Sequence, residues 1–158
     1  MKHLRLILTC FSLAITGAVT SASAQTAPSQ SEVAEYTGLH KAAHIGDAVA
    51  IHKLLSKGAN LEAQDRAGRT ALHVAAFGKK RDAIRALAKA GANLNALENR
   101  AYDVVTIAAV ANDIKTLDLV LSLGAKATNI TSPYDGTALI AAAHLGHHEV
   151  VKRLIAAK

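Results

Sequence analysis

Thr70-Ala71-Leu72-His73-Val74-Ala75-Ala76, then a short polar break, then Asp82-Ala83-Ile84-Arg85-Ala86-Leu87-Ala88-Lys89-Ala90-Gly91-Ala92-Asn93-Leu94-Asn95, is one unit of a pattern that recurs along the chain. Gly-Ala stands at 58–59, 91–92 and 124–125, each pair 33 residues after the last. The alanine pairs Ala42-Ala43, Ala75-Ala76 and Ala108-Ala109 keep the same step, and Ala142-Ala143 follows after 34. A fixed period of this size means a stacked array in which each unit buries its apolar face against its neighbours. Within a unit, Thr70 suits a helix N-cap. Small Ala75 and Ala76 allow a neighbouring helix to come close. Gly91 suits the left-handed residue that ends a second helix without a Cβ penalty. Each unit therefore reads as helix, turn, helix and polar loop.

The pattern resembles the ankyrin repeat, whose signature opens Thr-Pro-Leu-His-x-Ala and closes near Gly-Ala-Asp-Val-Asn. The likeness runs over residues 37–158, with units at about 37–69, 70–102, 103–136 and an incomplete 137–158. The first copy keeps Thr37-Gly38-Leu39-His40-Lys41-Ala42-Ala43 and Gly58-Ala59-Asn60-Leu61. The third has Asp103 at the Thr position and Thr106 at the His position, the fourth has Ile140 for the His, and no copy has the Pro. The resemblance implies an all-α fold, an α-solenoid of stacked helix-turn-helix repeats. The departures predict looser helix starts in the third and fourth copies.

The first 24 residues belong to another class of segment. Lys2 and Arg5 precede a largely apolar stretch from Leu6 to Val19, and Ala22-Ser23-Ala24 stands before Gln25. That order predicts a secretory signal peptide, too short in its apolar part for a membrane span. The expected location is periplasmic or secreted. The only cysteine, Cys10, lies in this segment, so residues 25–158 have no disulfide to draw on. Residues 25–36, polar and small at their start, read as a flexible leader.

The chemistry of catalysis is not visible. There is no Ser-His-Asp arrangement, phosphate loop or HExxH motif, and the reading is of a non-enzyme with no cofactor or metal. By resemblance, His40 and His73 are structural, bonding near the helix start and the adjoining loop. His144, His147 and His148 are close in sequence, but Gly146 falls in a turn, so they need not share a face.

Two surfaces are candidates for partners. Ankyrin-like arrays bind with a concave side made of loop tips and the exposed face of each first helix. By position, the tips hold Arg66 and Arg69, then Asn99, Arg100 and Tyr102, then Pro133, Tyr134 and Asp135. The helix positions are His44, Phe77, Val110 and His144. Arg66, Arg69, Phe77, Asn99, Arg100, Tyr102 and Tyr134 are the expected contacts for a protein partner, an exported enzyme or an envelope component. The extra residue between Thr128 and Gly136 is expected to enlarge one tip. The alternative is a structural protein of the envelope that uses the basic run Lys79-Lys80-Arg81 and the stripe Arg81, Arg85 and Lys89 to hold anionic surfaces. No aromatic platform accompanies that run, which argues against nucleic acid. The net charge is +6 with histidine neutral. The last helix keeps apolar Val150, Val151, Leu154 and Ile155 with no Gly-Ala loop after it, so a shortened array or self-association through this helix is expected.

Overall fold

The computed structural model describes residues 27–131 and 136–157; the signal-like segment and most of the third tip, Tyr134 included, lie outside the described residues. Among the described residues there are nine helices and no strand beyond two isolated bridges. A short helix α1 (Gln30–Glu35) precedes four pairs: α2 (Gly38–Ile45) with α3 (Ala48–Ser56), α4 (Ala71–Phe77) with α5 (Arg81–Lys89), α6 (Val104–Val110) with α7 (Ile114–Ser122), and α8 (Ala138–His144) with α9 (His148–Ala156). First helices stack in the order α2, α4, α6, α8, and second helices in the order α3, α5, α7, α9. The result is a two-layered solenoid.

The 33-residue beat has a physical cause at each of its notes. Gly58, Gly91 and Gly124 have φ of 82°, 93° and 99°, the left-handed region that a Cβ resists. The alanine after each glycine closes the helix. Ala92 N–H donates to the Leu87 carbonyl and Gly91 N–H to the Ala88 carbonyl, at 3.1 and 3.0 Å. Ala59 and Ala125 make the equivalent bonds to Leu54 and Val120. This is the Schellman arrangement that satisfies the last orphan carbonyls. The turn inside each pair also repeats. The N–H groups of Asp47, Lys80, Asp113 and His147 donate to the carbonyls of Ala42, Ala75, Ala108 and Ala142.

Burial follows the same register. Leu39, Leu72 and Val105 fill one column between layers, and Ile51, Ile84 and Leu117 another, all buried. Full burial of each such side chain is worth about 1.5–3 kcal/mol. In the last pair Val150 and Leu154 are buried, whereas Ile140 and Ile155 are exposed.

The leader differs from expectation. Residues 30–35 are helical, because Ser29 and Glu32 form a capping box: Ser29 N–H donates to the Glu32 carboxylate at 2.7 Å and Glu32 N–H to the Ser29 hydroxyl at 3.3 Å. Val33 then packs against the core, and Tyr36 is buried in it.

The third repeat also departs from the looser start expected of it. Asp103 caps α6 by accepting from Thr106 N–H at 2.8 Å, and Asn129 Nδ2 donates to its other oxygen at 3.0 Å. The hydroxyls of Thr106 and Thr131 lie 2.7 Å apart, spanning the gap that a histidine bridges in the earlier copies. Asp and Thr together replace Thr and His.

Candidate functional site: the row of loop tips

Each of the first two tips is a tight loop folded around its own carboxylate. Asp65 Oδ1 accepts the N–H groups of Ala67 and Arg69, both at 2.9 Å. One repeat on, Glu98 Oε1 accepts those of Arg100 and Tyr102 at 2.9 and 3.1 Å. The tips are then tied to the first helices by histidine. His40 Nε2 donates to the Arg69 carbonyl at 2.8 Å, and His73 Nε2 donates to the Ala96 carbonyl at 3.0 Å. On its other nitrogen, His73 meets the Thr70 N–H and hydroxyl at 3.2 and 2.9 Å. With one nitrogen donating to a carbonyl, the other accepts, so the ring is neutral. Burial pushes the His73 pKa below its usual 6.5, against the raising effect of the Ala96 carbonyl. Both histidines are structural, as their positions imply.

Neighbouring tips also hold one another. Asn99 N–H donates to the Ala67 carbonyl at 3.0 Å, and Asn99 Nδ2 to the Arg66 carbonyl at 3.2 Å. Lower down, Glu62 accepts from Asn93 N–H, and Asn95 from Lys126 N–H, each at 2.8 Å. The row is one connected structure rather than a set of separate loops.

Helix α1 closes its first end. Arg69 is only 3% exposed and pairs with Asp65 at 2.7 Å and with Glu32. The Tyr36 hydroxyl donates to Asp65 at 2.8 Å, and Arg66 pairs with Glu35 at 3.3 Å. Burial works to raise the Asp65 pKa, but hydrogen bonds from Arg69 and Tyr36 outweigh it and leave the carboxyl below its usual 3.8. The backbone and hydroxyl of Ser29, then Arg69, hold Glu32 below 4.5. Burial first, then the bond to Asp65, holds the Tyr36 phenol well above its usual range.

The expected contacts therefore divide. Arg66, Asn99 and Arg100 are exposed along two successive tips. Phe77 is half-buried, packs on the core and ends α4 at the turn side of its helix pair, away from the loop tips. Arg69 and Tyr102 are buried and serve the array itself, which corrects their assignment as contacts. Sequence reasoning missed Leu97 and Ile130, which are exposed and occupy the same position in successive tips. It also missed the α1 carboxylates, although Ser29-x-x-Glu32 is itself a helix-start signal.

The basic stripe is rearranged. Arg81 turns toward the next repeat and meets Asp113 at 3.8 Å, so Arg85 and Lys89 no longer continue from it. His147 donates from Nδ1 to the Ala109 carbonyl at 2.9 Å. Among the described residues, no three His, Cys, Asp or Glu side chains are placed to hold a metal ion, and no helix is long and apolar enough to cross a membrane.

Comparison with known families agrees with this geometry. A family model described as ankyrin repeats (three copies) matches residues 10–98, and one described as ankyrin repeat matches residues 134–158. The chain belongs to the ankyrin repeat family. The first match begins upstream of Thr37, and the stretch between the matches holds the Asp103 and Thr106 departures. No curated protein matches the chain. Ankyrin repeats are generally protein–protein interaction modules and typically non-catalytic, and they suggest a protein partner.

Proposed function

We propose that this ankyrin array is a non-catalytic binding module of the periplasm or the secreted fraction, whose loop tips and first-helix faces receive one partner protein. The observation that carries the reading is the continuous bonding of the tips, from α1 through Asp65 to Asn99, with polar heads left outside. A surface ordered before binding loses little entropy on association. Arg66 and Arg100 supply charge, Asn99 supplies hydrogen bonds, and Leu97 with Ile130 supplies apolar area along one side. Tyr134 belongs to the same proposed surface by position. The location rests on the Lys2–Ala24 segment, and the partner would be an exported enzyme or an envelope protein.

The test is a pull-down from envelope extract with the wild-type chain and with Arg66→Ala, Asn99→Ala and Arg100→Ala combined. Loss of specific partners from the triple variant, with an unchanged melting curve, supports the surface. Capture of the same set by both chains removes it. Cell fractionation with N-terminal sequencing checks the location, for which the expected first residue is Gln25.

A further inference from the structure

Each helix pair runs out and back, so its internal turn lies at the end of the array opposite the loop tips. At that edge two aliphatic side chains stand in solvent: Ile45 is 57% exposed and Val49 is 78% exposed. Val49 continues into the outward side of α3, whose exposed positions Val49, His52, Lys53 and Ser56 repeat at helical spacing. Beside them lie Lys79 and Lys80, with Arg85 and Lys89 on the outward side of α5. The Lys80 stem lies across Gly46 and Gly78, where a Cβ would meet it at 3.2 Å, so its ammonium is carried outward past the turn.

The charge on this face is unbalanced. Lys53, Lys79, Lys80, Arg85 and Lys89 have no carboxylate partner among the described residues. Two carboxylates share the face. Asp47 is used in capping Ala50 N–H at 2.8 Å, and Asp82 is exposed. The corresponding side of the last two repeats is different, because Arg153 pairs with Asp118 and Glu149, and Lys152 with Glu149.

We propose that the outward face of α3 and α5, with the turn at Ile45, is a landing surface for an anionic phospholipid bilayer. It lies apart from the loop tips and holds whether or not the partner surface is correctly placed. Exposed aliphatic groups flanked by unpaired cations are the chemistry of interfacial binding: the apolar groups enter the headgroup boundary while lysines meet the anionic lipids. An acidic protein fits less well. Protein interfaces are depleted in lysine and enriched in aromatic anchors, whereas four of these five cations are lysine and neither α3 nor α5 carries a Phe, Tyr or Trp. A bilayer's charge is diffuse and needs no directed acceptor.

The test is flotation of the full chain with phosphatidylcholine vesicles, pure or doped with phosphatidylglycerol. Pure vesicles read whatever the rest of the chain contributes. The expected result is stronger binding to the doped vesicles that falls with added salt. Lys79→Gln, Lys80→Gln and Arg85→Gln combined should weaken it about a hundredfold, at roughly fivefold per cation. Ile45→Ser with Val49→Ser should weaken it about tenfold. Lys41→Gln, Lys126→Gln and Lys152→Gln combined remove equal charge elsewhere and should leave most of the binding. All of these positions but the half-buried Lys80 are exposed, and circular dichroism should show unchanged folding. The proposal is overturned if the two triple variants bind alike, if doped and pure vesicles bind alike, or if polyglutamate occupies the patch while the vesicles do not.

Discussion

Gly68 and Ala101 occupy the same position in successive tips and answer the same backbone demand differently. Both have positive φ, 75° and 60°. A Cβ on Gly68 would lie 2.3 Å from Asn99 Oδ1 and 2.9 Å from the Asn99 backbone nitrogen. Gly68→Ala should therefore cost about 2 kcal/mol, adding left-handed strain to the loss of the tip-to-tip bonds. Ala101→Gly relieves the same strain and should be neutral to stabilising, by up to about 1 kcal/mol. Thermal melts should fall for Gly68→Ala and hold or rise for Ala101→Gly. His73 gives a pH signature. Its folded pKa lies below the unfolded 6.5, so the unfolded chain binds the extra proton first. Stability is full above pH 6.5 and falls as pH drops through 6.5 toward the folded value. A denaturation series across that range should show the loss, and His73→Thr should flatten the part that His73 causes. Much at this scale was legible, since the Gly-Ala and Ala-Ala pairs do what their spacing implies, and His40 and His73 do what the ankyrin resemblance implies. Arg69 and Tyr102 were misread because membership of a tip does not say which way a side chain points. The clue was the period itself: Tyr36, Arg69 and Tyr102 are spaced 33 apart, and all three are buried.

Helix α1 is the element that the repeat pattern could not reveal, because it lies before the first Thr-Gly-Leu-His and carries no Gly-Ala. Its only local signal is the Ser29 to Glu32 box, and its docking partners are up to 37 residues further along. Arg69→Met should cost about 2–3 kcal/mol, since it leaves Asp65 and Glu32 without their cation; the half-exposed Glu32 keeps the figure below that of a fully buried pair. Amide exchange should show α1 losing protection before α4 does. Acid should act similarly. Asp65 and Glu32 are both depressed, so their contribution is present above the unfolded values of 3.8 and 4.5 and is lost as pH falls through the lower folded values. The third repeat shows an element keeping its geometry with different chemistry. Asp103→Ala should cost about 1 kcal/mol or more, for the lost cap and the stranded Asn129 amide.

Across the whole molecule, the two ends of each helix pair carry different surfaces. The tips are bonded to one another and present Arg66, Asn99, Arg100, Leu97 and Ile130, while the turn edge presents Ile45, Val49 and unpaired lysines. A solenoid separates them because every loop falls at one end and every turn at the other. The repeat together with the ankyrin resemblance made the tip surface legible, but which charges pair across repeats was not, since Arg81 with Asp113 and Arg153 with Asp118 are set by how successive helices lie. The central claim is that a protein partner is received by the tips. The most direct measurement is hydrogen–deuterium exchange of the chain with and without its captured partner. Slowed exchange at residues 64–68 and 97–101, with α3 and α5 unchanged, is the predicted result. Slowed exchange confined to α3 and α5, with the tips unaltered, would contradict it.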